Sequence, residues 1–323
     1  MTVTEEIVTR RKQDLANQLA GPLDSLARTC AAHWPDPDRL DETLLQGQEN
    51  VPACHLLYVL DSKGLQVSAN VSEDGPALDL RGQDLSERPY LQGHLPLRGL
   101  SLSASYMSSA SGAPCITALY PVHSGDRLLG FLAADFHLHE VAGELGDQGP
   151  AATHGQFRGD PAIRGNLFQQ QRHASRLDQN CEAVFDILEA LLRRHGIFHT
   201  KIHFSSARAT LWSVDDPYTY RIHGVDELLE PELCLAYPTR PYPERATIPP
   251  HRLRPILQRF QELREADDTV YLRSASLNLI NETVGLTFSC DGSHYMAAEA
   301  FLALGLDYWL GAGPTNTIEN DSC

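Results

Sequence analysis

A carboxylate inside an apolar run is the residue of this chain that most needs a chemical explanation. Asp135 sits in Phe131-Leu132-Ala133-Ala134-Asp135-Phe136. A carboxyl group there must find a hydrogen-bonding or cationic partner, or keep its proton. Arg88, in Arg88-Pro89-Tyr90, carries a planar fork that suits two carboxylate oxygens. Tyr90 adds an aromatic face with a polar tip. Brought together on an apolar wall, such groups form a pocket for a small polar ligand. Each also has a plain structural use: Arg88 can pair with Glu87 or Asp84, Tyr90 can fill a core, and Asp135 can bind Arg88 or a backbone amide.

Other reactive residue types are weaker candidates. His199 and His203 flank Lys201 on one face of a strand, but four strand residues span about 13 Å, too far to share a metal. Cys290 and His294 lie near one turn and could act as nucleophile and base, yet no oxyanion motif or partner carboxylate accompanies them. Ser205-Ser206 and Gly311-Ala312-Gly313 lack the strand-loop-helix context of a phosphate loop. The seven cysteines are scattered, with no C-x-x-C pair. Reduced thiols are therefore expected, with no metal site and no cofactor.

Composition bounds the function. The 323 residues carry 26 Lys and Arg against 42 Asp and Glu, a formal charge of −16. Such a balance argues against binding to nucleic acid or to anionic lipid. No apolar run approaches the about 20 residues of a bilayer span, and the N-terminal stretch has no signal-peptide core. A cytoplasmic protein of two domains is expected.

The elements that would position these groups follow from periodicity. Residues 4–33 read as a helix, kinked or interrupted at Gly21-Pro22, with Val8, Leu15, Leu19, Leu23, Leu26 and Cys30 on one side. A second helix covers 38–48. Leu56–Leu60 is a buried strand, Asp61-Ser62-Lys63-Gly64 a hairpin turn, and 65–71 the return. A short helix holds Arg88-Pro89-Tyr90, and strands over 101–108, 115–122 and 128–136 follow. Gly-rich residues 146–170 read as a linker. Beyond it, 172–195 is a helix stopped by Gly196, and 198–204, 209–214 and 218–223 are strands. Proline-rich 231–250 is a surface excursion, and 253–264 is a helix. Strands are read at 269–273, 277–281 and 284–290, a helix at 294–310, and a disordered tail at 311–323.

The first part resembles the Cache family of extended PAS-like sensor domains, also called PDC sensors. The pieces that carry this are Tyr58-Val59-Leu60-Asp61-Ser62-Lys63-Gly64, Arg88-Pro89-Tyr90, the strand-turn-strand from Ser105 to Val122, and Gly130 to Phe136. The resemblance implies a PAS-like α+β domain over 1–145, followed by the linker and a second α+β domain of mainly antiparallel strands over 171–310, which resembles no known family. It also implies a ligand pocket. Arg88 matches the position that holds a ligand carboxylate, and Tyr90 an aromatic that packs over the ligand. Tyr106, Ser108 and the adjacent Ser109 match pocket-facing positions. Asp135 matches the carboxylate that receives a ligand ammonium group. Two departures stand out: Ser108 replaces a second acidic residue, and Gln83 falls where an aromatic is usual. Half of the ammonium clamp is missing, which leaves room for short organic acids, an amide or a purine.

The resulting expectation is a bacterial, cytoplasmic, non-enzymatic sensor. It would bind a small carboxylate- or amine-bearing metabolite and signal through a homodimer built on the N-terminal helix, or through a partner protein. Family members are commonly extracytoplasmic receptors framed by membrane helices, so the missing spans are a departure. Two alternatives stand beside it. One is an enzyme with His223, Asp215, Cys290 and His294 in the second domain. The other is an interaction protein whose sensor fold holds no ligand.

Overall fold

The computed structural model describes residues 3–91, 98–108, 111–142, 171–290 and 293–310. It divides into two compact units. The expected linker from 146 and the tail from 311 lie outside the described residues. No helix among the described residues is long and apolar enough to cross a membrane.

The first unit begins with α1 (Val3–His33) and α2 (Pro37–Gly47). The expected break at Pro22 does not occur; α1 is a single helix with the proline inside it. Leu19 and Leu23, on either side of the proline position, are both fully buried, and that packing outweighs the one backbone bond Pro22 removes. The rest of the apolar stripe, Val8, Leu15, Leu26 and Cys30, is buried as well. The stripe packs against the chain's own sheet. α2 opens with Pro37 at its first position and Asp36 accepting from the amides of Asp38 (3.1 Å) and Arg39 (3.3 Å), a complete N-cap.

Next come β1 (Leu56–Asp61), β2 (Asn70–Ser72), β3 (Gly75–Ala77), β4 (Ser101–Leu102), β5 (Tyr106–Met107), β6 (Pro114–Ser124), β7 (Arg127–His137) and the one-turn α3 (Leu138–Val141). The strands form one antiparallel sheet in the order β3-β2-β1-β7-β6-β4, with β5 also paired to β6. The long β6–β7 hairpin turns at Gly125, whose φ of 58° needs glycine. Alternation sorts the two faces. Leu57, Val59, Leu132, Ala134, Ile116 and Ala118 point to one side, the side that packs on the helices. Tyr58, Leu60, Phe131, Ala133 and Leu119 point to the other and form a separate cluster with Leu85, Tyr90 and Leu91. The expected strand over 101–108 is two short pieces, and the return after β1 is regular only at β2.

The expected helix around Arg88 is absent. Residues 86–91 make consecutive tight turns instead, with the Arg88 amide on the Leu85 carbonyl and the Leu91 amide on the Arg88 carbonyl, each 2.9 Å. Pro89 disfavours the helical conformation at Arg88. The segment lies against the β1 turn at Gly64, whose φ of 90° and missing side chain allow it to approach; a Cβ there would stand 2.9 Å from Ser86 Cα.

The piece Glu230–Thr239 belongs to this first unit, although the sequence reading assigns it to the C-terminal domain. Nor is it a surface excursion throughout, because Pro231 and Leu233–Tyr237 are buried. Arg11 donates to the Tyr237 carbonyl (3.1 Å) and Lys12 pairs with Glu232 at 2.7 Å.

The second unit holds α4 (Cys181–Arg194), β8 (Ile197–His203), β9 (Arg208–Ser213), β10 (Asp216–Gly224), α5 (Val225–Leu228), α6 (Leu253–Glu265), β11 (Leu272–Asn278), β12 (Thr283–Phe288), β13 (Ser293–Ala297), α7 (Ala298–Ala303) and α8 (Leu306–Leu310). Its six strands are all antiparallel, ordered β10-β9-β8-β11-β12-β13. Two corrections fall here. The expected pair of strands at 269–273 and 277–281 is the single strand β11, in which Leu272, Ala275 and Leu277 are buried and which packs against α6. The expected last helix begins as strand β13, where His294 and Tyr295 pair with Leu286 and Gly285.

Candidate ligand-binding site

Asp135 stands opposite Leu56 on β1 and Thr117 on β6, in the middle of the first sheet. Its face of the sheet is the one that carries Tyr58, two residues along β1 from Leu56. Thr117 Oγ1 donates to Asp135 Oδ1 at 2.7 Å, and the Tyr58 hydroxyl lies 3.2 Å from Oδ1 and 3.4 Å from Oδ2. The Tyr106 hydroxyl is 2.9 Å from Thr117 Oγ1. Since Thr117 gives its one proton to Asp135, Tyr106 donates to Thr117. Thr117 is itself fixed from behind, its amide on Ser103 Oγ (3.0 Å) and its carbonyl accepting from the Ser103 amide (2.9 Å).

Tyr90 closes the group. Its ring centroid lies 6.4 Å from Tyr58 and 5.9 Å from Tyr106, and its hydroxyl bonds that of Tyr58. Three tyrosines thus surround one carboxylate. Burial pushes the Asp135 carboxyl up to about 6, opposed by the hydroxyls of Thr117 and Tyr58 and by the Arg88 charge. Burial and the neighbouring carboxylate raise the phenols of Tyr58 and Tyr106, and burial holds Tyr90 at about 12. All three keep their protons and serve as donors. Oδ1 takes both short bonds, so Oδ2 retains capacity for a further donor. A carboxylate flanked by aromatic faces suits a cationic amine.

Of the six residues expected here, four converge. Arg88 is half-buried, and its charge reaches both Asp135 and Tyr90; Tyr90 packs on Tyr106, and the two reach Asp135 through the hydroxyls of Tyr58 and Thr117 respectively. Ser108 is placed differently. Its hydroxyl accepts from the Ser111 amide (3.3 Å) and bonds the Cys115 thiol, stabilising the turn before β6. Ser109 lies outside the described residues. Tyr58 and Thr117 belong to the site although the sequence reading, which has both inside its family motifs, assigns neither a role there. A tyrosine alternating with Leu56 and Leu60 on a buried strand was the available signal, because its hydroxyl needs a partner.

Solved sensory domains of chemoreceptors are similar to this chain. That of Tlp3 (CcmL) from Campylobacter jejuni, with isoleucine bound, is 12% identical, over 43% of this chain and 58% of that one, with a TM-score of 0.36. The ligand-binding domain of CtaA from Pseudomonas fluorescens, in complex with L-alanine, is 17% identical over 43% and 57%, with a TM-score of 0.30. An extracellular ligand binding receptor from Desulfohalobium retbaense is 16% identical over 42% and 25%, with a TM-score of 0.35. The matched part is the N-terminal portion, where the sequence resemblance lies. The chain spans less than two thirds of each of these structures, and likenesses of this size carry no weight at the level of the site. No protein-family model and no curated protein matches the chain.

Three of the four residues of the enzymatic alternative have a structural role: His223, Asp215 and His294. His223 is buried with Nδ1 3.0 Å from Glu227 Oε2. Asp215 accepts from Arg240 Nε at 3.0 Å. His294 packs edge-on against Phe288 and Trp309, and Cys290 is exposed.

Proposed function

We propose that the first unit is a non-enzymatic sensor of a small metabolite bearing an ammonium group, with Asp135 as the anionic anchor. The observation that carries this reading is the partly satisfied carboxylate on an apolar sheet, held by Thr117 and Tyr58 and faced by Tyr90 and Tyr106. Keeping a carboxylate there is costly, and the hydroxyls of Thr117 and Tyr58 with the Arg88 charge offset burial only in part, the carboxyl standing at about 6. Arg88 on the overlying turn supplies the opposite charge, so a molecule with both an amine and a carboxylate, such as an amino acid, fits the pair.

Three contacts within the unit support a route from the site to α1. The residue before Tyr106, Ser105, donates its amide to Glu232 at 3.4 Å, and Glu232 pairs with Lys12 of α1. Lys12 also reaches the Ser103 carbonyl (3.4 Å). A ligand that shifts Tyr106 biases this junction, and with it α1 and the piece Glu230–Thr239. Signalling is then a change in the population of two arrangements. A homodimer through α1 would use the outer side of the helix, since its apolar stripe faces the sheet. We extend the proposal to a cytoplasmic location.

A thermal-shift screen of amino acids, amines, short carboxylic acids and purines tests the proposal. Amine-bearing compounds should stabilise the protein and lose that effect in Asp135→Ala. Stabilisation that survives in both Asp135→Ala and Arg88→Ala would move the site elsewhere.

A further inference from the structure

Two residues beyond Asp135 on the same face of β7 stands His137, about 7 Å along the strand. Its ring is buried, with Nε2 3.1 Å from Ser111 Oγ and Nδ1 3.3 Å from Glu140 Oε1. His139 lies parallel to it, ring centroids 5.3 Å apart at 17°. His55 covers the other side at 4.1 Å. One nitrogen from each of His137 and His139 and one oxygen of Glu140 all lie within 4.8 Å of one another. Cys115 is the ladder partner of His137 across β6 and β7.

We propose that His137, His139 and Glu140 form a binding site for a divalent transition-metal ion of the zinc class, at the point where β7 passes into α3. Two imidazoles and a carboxylate, with a fourth position open to solvent, are the donor set of such sites. Ligand atoms in a tetrahedral shell stand about 3.4 Å apart, given metal–ligand distances of about 2.1 Å. Side-chain rotation of His139 and of the exposed Glu140 closes the remaining gap. Ser111 on the far nitrogen of His137 is the outer partner that orients a ligating imidazole. The chain's charge of −16 favours a cation. The backbone is already anchored: the His139 carbonyl accepts from Thr239 Oγ1, and the Ala142 carbonyl from Arg11 (3.0 Å). Metal binding would fasten α3 to the end of β7. The site rests on its own residues and stands whether or not Asp135 receives an amine.

Chelator-treated full-length protein, titrated with zinc against a chromophoric competitor and separately with cobalt, tests this. The expected result is a single tight site with the visible absorption of four-coordinate cobalt. Affinity should fall in His139→Ala and in Glu140→Gln by more than the about hundredfold that loss of an outer partner costs; circular dichroism checks that both variants keep the parent fold, the His139 side chain being 13% exposed and that of Glu140 37%. His251→Ala, in the other unit, should bind as the parent does. Zinc binding unchanged in both site variants would overturn the proposal, as would an absence of tight binding by the folded parent.

Discussion

Arg264 offers the most demanding test of how the second unit is held together. Its side chain is 1% exposed and that of its partner Asp178 4%. Nε and Nη2 meet the two carboxylate oxygens at 2.9 and 2.8 Å, Nη1 donates to the Leu272 carbonyl (3.0 Å) and Nη2 also to the His173 carbonyl (3.1 Å). The guanidinium lies 5.0 Å from the Tyr271 ring centroid and 5.8 Å from that of Phe204. One residue thus joins α6, β11 and the segment that leads into α4. Arg264→Met strands a buried carboxylate, which costs about 3–5 kcal/mol. At about 3 °C per kcal/mol for a unit of this size, Tm should fall by about 10 °C. Arg264→Met combined with Asp178→Leu removes the stranded charge. It should recover part of the loss but not all, because the buried Leu272 carbonyl loses its donor at about 1–3 kcal/mol. Urea unfolding followed by tryptophan fluorescence suits the purpose, since Trp212 and Trp309 lie in this unit. Additive losses in the double variant, or a single variant within about 1 kcal/mol of the parent, would refute the reasoning.

Three further outcomes are expected. Burial, then Lys201, lowers the His199 ring to about 4, and burial, then Lys201 and Arg208, lowers the His203 ring to about 4. The folded unit therefore holds both rings neutral, while the unfolded chain protonates them from about pH 6.5 downward. Stability from this source is complete above that pH and is lost as the pH falls to about 4, by about 1–2 kcal/mol per ring after discounting for partial exposure. His199→Gln with His203→Gln should flatten that slope in urea titrations at each pH; an unchanged slope counts against it. Gly130→Ala should destabilise by about 3 kcal/mol or more, because its Cβ would stand 2.0 Å from the Leu60 carbonyl and 2.8 Å from Trp34; a Tm within about 2 °C of the parent contradicts this. Among the cysteines of the described residues, Cys290 should react first with a thiol reagent, while Cys30, Cys115, Cys181 and Cys234, buried with thiols raised to about 12, react only on unfolding. Mass spectrometry of partially labelled protein reads the order.

The long periodic elements were legible because burial wrote them into the sequence. The α1 stripe from Val8 to Cys30 and the α4 face from Cys181 to Leu192 are buried as their spacing implies. Asp135 was legible for the opposite reason, as a charge where none is easily kept. Tertiary context decided the rest. The turn at Arg88 depends on Gly64, twenty-four residues earlier, which no local pattern reveals. Thr117 hides in an apolar strand because a threonine there is common, and only its register opposite Asp135 gives it a role. The piece Glu230–Thr239 reads as a proline-rich loop, yet Lys12 and Arg11 tie it to the first helix. His137, His139 and Glu140 escaped notice because a strand residue and two residues of the following turn come together only where β7 ends.

The claim that Asp135 anchors an ammonium group is tested most directly by calorimetry on matched compounds. The best amino acid from the thermal-shift screen and its N-acetyl derivative would be titrated into the parent and into Asp135→Asn. In the parent, acetylation should cost about thirtyfold or more in affinity, the range of 2–5 kcal/mol expected when one partner of a buried charge pair is removed. In Asp135→Asn the amino acid should already bind weakly, and acetylation should cost little more. Equal losses on acetylation in both proteins would contradict the account, because the ammonium group would then be held somewhere other than Asp135.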